Sequence, residues 1–428
     1  MVRLAWFGAT AVFALSGCRG HLASLSEPAC APPGYVEDVK AASRDIHDRY
    51  IYFADKAVDW PRAESLATAA ARGTNSKREL VGVLEGLLAN LYDAHAIVRA
   101  NTSHSPRLIP SGLDLWAQWM DTVALITAVR PGYGAERNGV RPGMQVVAIN
   151  GVPIREAAAA RLGSGVKTHP PPEALAWALL SALAGRHDTP RVLRIRDESE
   201  TTRDIPVDGG APYLIDREIS EPPVEARGIS ARNGETDKHY GYIRLNALGD
   251  SSSVPAFDSA LASFREAPGL ILDLRNTPGG GNTSVAEPIL GRFITGTRGY
   301  QRIVPRHGDA YTRTVSERGP WRYERPLVVL VGHWTGSMGE GMAIGLDGMH
   351  RGIVVGTSMA GLAGSVDDFR LQCTGLGIAL PTARLLHLNG TPRERWVPSV
   401  VVDDHAGEDR TLRRGIEILN DITAHPQL

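Results

Sequence analysis

"RPLVVLVGHWTGSMGEGMA", residues 325 to 343, decides how the rest of the chain is read. Leu327 to Val331 are apolar without a break, the length of a strand and rich in β-branched valine. An apolar run with no polar alternation suits a strand buried on both faces of a sheet. A turn of small residues follows, and Ser337 then opens a helical stretch. A serine at that point has its hydroxyl near the positive end of a helix. Strand, turn, serine and helix in that order is also how other serine hydrolases expose a nucleophile. Taken alone, the turn reads just as readily as structural, because glycines after strands are ordinary turn chemistry.

The neighbouring sequence supplies a frame. "YGYIRL", "GLILDLR" and "GIVVGT" are further short apolar strands, and "SVPAFDSALASFREA" is helical. This strand and helix rhythm, from residue 209 to 428, predicts an α/β domain with parallel pairing. A second glycine-rich turn, "LDLRNTPGGGN", follows the "GLILDLR" strand. Consecutive glycines let backbone N–H groups approach a developing oxyanion. Asp273 and Arg275 in that turn are expected to hold it in place rather than to touch substrate.

Residues 35 to 104 read as a small helical region. "EDVKAASRDIHDRYIYF" and "SKRELVGVLEGLLANLYDAH" carry apolar residues at steps of three and four, with Ser76 or Asn75 as a cap. Residues 105 to 208 change character to short β-branched strands. "TVALITAV" is followed by Arg141-Pro142-Gly143, a strand and Asn150-Gly151, a strong hairpin signal since both turn positions tolerate positive φ. The stretch resembles a PDZ domain, which implies binding of a chain end by strand addition. Its carboxylate loop is expected near "PSGLDLW", residues 110 to 116. A purely structural or gating role for this domain is the other reading.

The chain has 428 residues with 46 Lys+Arg against 47 Asp+Glu, and no long basic run, which argues against a partner held by phosphate contacts. With no CxxC pair and no HExxH, no metal or cofactor motif is present in the sequence. "MVRLAWFGATAVFALSGC" has an early cation and an apolar stretch too short to span a bilayer, as a secretory signal does. It ends in Leu15-Ser16-Gly17-Cys18, which resembles a bacterial lipobox. Residues 1 to 18 are thus expected to be a lipoprotein signal, Cys18 the lipidated residue, and 19 to 34 a tether, placing the chain at the bacterial cell envelope. Cys30 and Cys373 then remain as a candidate disulfide in an oxidising compartment.

"GYIRL", "DLRNTPGGG", "PLVVLVGHWTGSMGEGMA" and "IVVGTSMAG", in that order behind a PDZ-like segment, resemble the C-terminal processing (tail-specific) peptidases and their tricorn-core relatives. The resemblance implies a crotonase- or ClpP-like spiral α/β core. It implies Ser337 as nucleophile, with an oxyanion hole from the N–H of Met338 and of the Gly279, Gly280, Gly281 run. The tail-specific branch takes its base from a lysine after the "VVG" strand; Leu362 stands there, and an alkyl group accepts no proton. The tricorn-like branch uses a histidine from the N-terminal part, and His95 in "LYDAHAIV" matches it. By the same likeness Glu394, in "NGTPRERWVPSVVV", would orient that histidine, although Ser399 replaces the usual Asp nearby. His333, leading the serine turn, is the rival base, and Glu340 is expected near the helix start.

Three readings of function follow. One is a lipid-anchored serine endopeptidase, acting on exposed or unfolded polypeptides through Ser337 and His95. Another is a catalytically silent relative that holds peptides or C-termini through the PDZ-like domain, and the missing lysine keeps it open. A third reading, an apolar-ligand carrier, follows from the retinoid-binding relatives of the same family.

Overall fold

The computed structural model describes residues 32–208, 222–233, 236–402 and 408–424. Cys18 and Cys30, and with them the signal, the lipobox and most of the tether, lie outside the described residues. Cys373 is disulfide-bonded, but its expected partner Cys30 lies in that undescribed stretch. Among the described residues no helix is long and apolar enough to cross a membrane.

Three helices open the fold: α1 (Pro32–Arg49), α2 (Trp60–Arg72) and α3 (Lys77–Leu88). Ser76 caps α3 by accepting from the Glu79 amide, one of the donors a helix start leaves unpaired. This region is not a separate unit. Leu80, Leu84 and Ile46 share a buried cluster with Leu371, Leu376, Ile378 and Leu380 near the C-terminus. A two-residue strand, β1 (Ile97–Val98), completes the attachment.

A β-rich domain follows, built from β2 (Leu115–Met120), β3 (Val123–Val129), β4 (Gln145–Ile149), β5 (Val152–Pro153), β6 (Val192–Arg196) and β7 (Thr202–Pro206). They form an antiparallel sheet in the order β2-β3-β4-β6-β7, with β5 on β4. Asn150 and Gly151 turn the β4–β5 hairpin with φ of 50° and 80°, the geometry their residue types favour. Helices α4 (Gly134–Arg137), α5 (Ile154–Ala159) and α6 (Pro172–Ala184) accompany it.

The C-terminal part holds two sheets. In the first, β8 (Val224–Asn233) lies antiparallel at the edge of β9 (Thr236–Leu245). From β9 the sheet steps through β10 (Leu270–Asp273), β13 (Leu327–Val331), β14 (Ile353–Gly356) and β17 (Val400–Val401), all parallel. Leu272 and Val329 face a core shared with α7 (Ser253–Ser263), α8 (Thr283–Leu290) and α9 (Met338–Gly348). Ile271, Val328 and Leu330 face the other way, onto Ile418 and Leu419 of α10 (Arg410–Ala424). Burial on both faces is why β13 reads as an unbroken apolar run.

The second sheet is antiparallel, β1-β16-β11-β12 with β15 on β16. Its strands are β11 (Thr297–Pro305), β12 (Tyr311–Ser316), β15 (Ser365–Arg370) and β16 (Gly377–Leu386). The expected parallel pairing is found in the first sheet beyond β8, with an antiparallel sheet beside it.

Candidate active site

Three turns leave the C-terminal ends of neighbouring parallel strands: 274–282 after β10, 332–337 after β13 and 357–364 after β14. In open parallel sheets this edge is where ligands bind. The 332–337 turn is packed tightly against its neighbour. The Gly336 amide donates to the Thr277 carbonyl at 2.8 Å, and a Cβ on Gly336 would lie 2.5 Å from the Pro278 oxygen. Ser337 itself sits at φ 50°, ψ −109°, a region non-glycine residues rarely adopt. It is also the one residue from 331 to 340 that is not buried. Strain at a partly open serine among buried neighbours is the signature of a site the surrounding fold is built to hold.

Glu340 supplies much of that hold. It is fully buried, and one carboxyl oxygen accepts from the Ser337 amide at 2.7 Å. The same carboxyl accepts from the Gly361 and Leu362 amides at 2.9 and 3.2 Å, so it ties the serine turn to the third turn. Burial raises its pKa to about 7, against the opposing pull of Arg393 and of the three amides.

His95 reaches the serine from the N-terminal region. Its Nε2 lies 3.1 Å from Ser337 Oγ across 242 residues of sequence. Its Nδ1 lies 2.8 Å from the Ala363 carbonyl oxygen. A carbonyl only accepts, so Nδ1 carries the proton and Nε2 is left to accept from the serine hydroxyl. Position is set from both sides. Asp93 accepts from the His95 amide at 2.9 Å and from the Tyr50 hydroxyl at 2.6 Å. Immediately after, β1 pairs Ile97 with Ala379 and Val98 with Ile378. The ring keeps one edge on the cavity; burial of the rest, helped by the Arg393 and Arg99 cations, lowers its pKa to about 4.

Glu394 does not orient this histidine: the Ala363 carbonyl holds the position a carboxylate was expected to take. Burial and the Glu394 carboxylate instead raise the pKa of the Tyr52 phenol, which places Glu394 beside Tyr52. The adjacent Arg393 serves the site in its place. Buried, it donates from Nη2 to the carbonyls of Leu362 and Gly364 at 2.6 and 3.0 Å, which brackets Ala363. A sequence comparison points to a carboxylate there because side chains leave a pattern; a backbone carbonyl leaves none. His333 is not a rival base. It is buried and stacks on Trp116, ring centroids 4.8 Å apart and planes within 8°, whereas His95 is the ring in hydrogen-bond reach of Ser337.

The glycine turn closes the other side. Gly279 has φ 132°, and a Cβ there would stand 3.6 Å from Ser337 Cβ. Among the described residues no acceptor takes the amides of Gly279, Gly280 or Gly281. These glycines, Met338, Ser337, His95 and Leu362 line one cavity of about 1290 Å³. Asp273 and Arg275 stand behind the turn: Arg275 donates to Asp273 and to Asp409, and the Tyr242 hydroxyl donates to Asp273. The β-rich domain also reaches the site. Arg130, fully buried, donates to Asn276 at 2.8 Å and to the Ser111 carbonyl at 3.0 Å. Trp334 in the serine turn donates to the Leu113 carbonyl at 2.7 Å. Residues 110–116, expected as a carboxylate loop, thus buttress the 274–282 and 332–337 turns.

Residues 239–402, which contain both glycine turns and Ser337, match the family model of Peptidase family S41. A carboxyl-terminal-processing protease of Synechocystis sp. is 29% identical over 272 residues, covering 60% of this chain and 54% of its own. The carboxy-terminal processing protease CtpB of Bacillus subtilis is 23% identical over 356 residues, covering 80% and 66%. The chain therefore spans between about half and two thirds of the length of these relatives. Among solved structures, mature CPAF superposes with a TM-score of 0.61 at 16% identity, over 92% of this chain and 96% of that one. The photosystem II D1 C-terminal processing protease does so with 0.55 at 20% identity, over 90% and 97%. The fold is that of these proteases, and the resemblance read from the strand and turn motifs holds.

Proposed function

We propose that this chain is a serine endopeptidase of the C-terminal processing kind, with Ser337 as nucleophile and His95 as general base. The observation that carries the reading is the pair of distances at His95: 3.1 Å from Nε2 to Ser337 Oγ and 2.8 Å from Nδ1 to the Ala363 carbonyl. They supply an unprotonated Nε2 in hydrogen-bond reach of the hydroxyl it must deprotonate.

The reaction runs as follows. Oγ attacks the scissile carbonyl carbon while its proton passes to His95 Nε2. The carbonyl oxygen becomes an oxyanion and accepts from the amides of Met338 and of Gly279 or Gly280. The imidazolium returns its proton to the leaving amine, and the C–N bond breaks to give an acyl-serine. Water then gives a proton to His95 and attacks the ester, and Oγ leaves with that proton. The Ala363 carbonyl keeps accepting from Nδ1 throughout, the part a carboxylate plays in other triads. Leu362, in place of a lysine, contributes an apolar wall.

The substrates proposed are exposed or unfolded polypeptides, and the β-rich domain, PDZ-like in its motif order, is proposed to present their C-termini. The lipobox motif supports export and anchoring through Cys18 at the cell envelope. Incubation of the purified protein with casein tests the enzymatic claim. Wild type cleaves; Ser337→Ala is reduced to background and His95→Ala falls by ~10²–10⁴. Equal cleavage by all three proteins, or none by any, contradicts it.

A further inference from the structure

The cavity beside Ser337 carries a polar group that the reaction above does not use. Gln301 lies on β11, where a bulge between Gly299 and Gln301 breaks the alternation of the strand. Tyr300 and Gln301 are consequently both buried, although neighbours on a regular strand face opposite ways. Tyr300 is fully buried and its hydroxyl donates to Glu287 at 2.9 Å. Gln301 is 3% exposed, lines the cavity, and its Oε1 has no hydrogen-bond partner among the described residues. It lies under the first turn of α9: a Cβ on Gly341 would stand 3.5 Å from Oε1 and against Met338 Cε. A buried amide oxygen without a partner is rare in folded proteins and calls for an explanation.

Stereochemistry says what meets it. Around the carbon that Oγ attacks, the leaving nitrogen must face His95 and the oxygen must face the glycine and Met338 amides. The remaining substituent, the residue N-terminal to the scissile bond (P1), points away from both groups into the cavity that Met338 and Gln301 also line. We infer that Gln301 reads the P1 side chain and that the enzyme prefers a small hydroxyl residue, Ser or Thr, at that position. A hydroxyl both donates and accepts, so it satisfies the amide in either orientation. An apolar P1 leaves Oε1 without a partner, and a site that buries a polar group discriminates against substrates unable to pair with it. The inference rests on the peptidase reading, since it deepens the substrate class of that site.

Thr and Val are nearly isosteric, so two peptides differing only at P1, Thr in one and Val in the other, isolate the hydrogen bond. Wild type is expected to favour Thr in kcat/KM by about fivefold or more. Gln301→Leu, and Gln301→Met if the first fails to fold, should bring the ratio to one or below while still cutting the Val peptide. The affinity of Ser337→Ala for product peptides ending in Thr or Val, measured by calorimetry, gives the same ratio without turnover. Failure to cut either peptide therefore counts against the peptidase reading, while the binding ratio still decides this one. A ratio at or below one in wild type, or an unchanged Thr preference in the folded Gln301 variants, overturns it.

Discussion

At the scale of single residues, the site depends on a histidine that is neutral because it is enclosed. Burial and two nearby cations lower the His95 pKa to about 4, from the 6.5 of a free imidazole. The proposed base works only when unprotonated, so activity should persist below pH 6.5 and fall only as pH drops toward about 4. A pH profile of kcat/KM should thus show its acid limb well under 6.5; a limb at 6.5 would mean that the ring is solvated and not held as described. The cost is a weak base, offset by the oxyanion that forms beside it in the same step. Ser337 and His95 were both legible in the sequence, from the strand–turn–helix context of one and the Asp-x-His motif of the other. The orienting group was not. Ala363 acts through its carbonyl, which any residue would provide, and Arg393 acts by shaping the loop that presents it.

At the scale of elements, the site is an agreement among three turns and one short strand. Glu340, in the first turn of α9, accepts from amides in two of those turns. Glu340→Gln places an amide N–H₂ against N–H donors and should lower kcat by about tenfold or more, with an unfolding cost of ~1–3 kcal/mol. Its folded pKa, raised to about 7, lies above the value of about 4.5 for a free glutamate. Stability from this group is fully present below pH 4.5 and is lost as pH rises through 7. Denaturant melts across that window should show wild type losing stability relative to Glu340→Gln; parallel curves would contradict the assignment. The parallel strands were legible because burial on both faces leaves continuous apolar runs. β1 was not, since two residues, Ile97 and Val98, carry no period. The antiparallel sheet left no such run, because β11 and β12 carry exposed Arg298, Arg302 and Thr312 among their apolar residues.

At the scale of the whole molecule, the proposed nucleophile and base come from segments that meet only in the folded chain. The helical region brings His95, the α/β part brings Ser337, and the β-rich domain braces the turns through Arg130 and Trp334. Sequence order alone could propose these partners by resemblance, but not the distance between them. Arg130 touches Asn276 rather than the reacting atoms, so it is a positioning residue. Arg130→Met should lower kcat by about tenfold while leaving KM for a short peptide nearly unchanged, since removing a partner to a buried group costs ~1–3 kcal/mol. A rise in KM alone would show that the domain binds substrate without steadying the turns.

His95 is proposed to activate Ser337 without the help of a carboxylate. The rate at which a fluorophosphonate labels the protein, followed by intact mass, tests it most directly. Wild type should gain one adduct, on Ser337; His95→Ala should react at least ~100-fold more slowly, and Glu394→Gln at close to the wild-type rate. Equal labelling of wild type and His95→Ala, or a Glu394→Gln variant as slow as His95→Ala, would contradict the account.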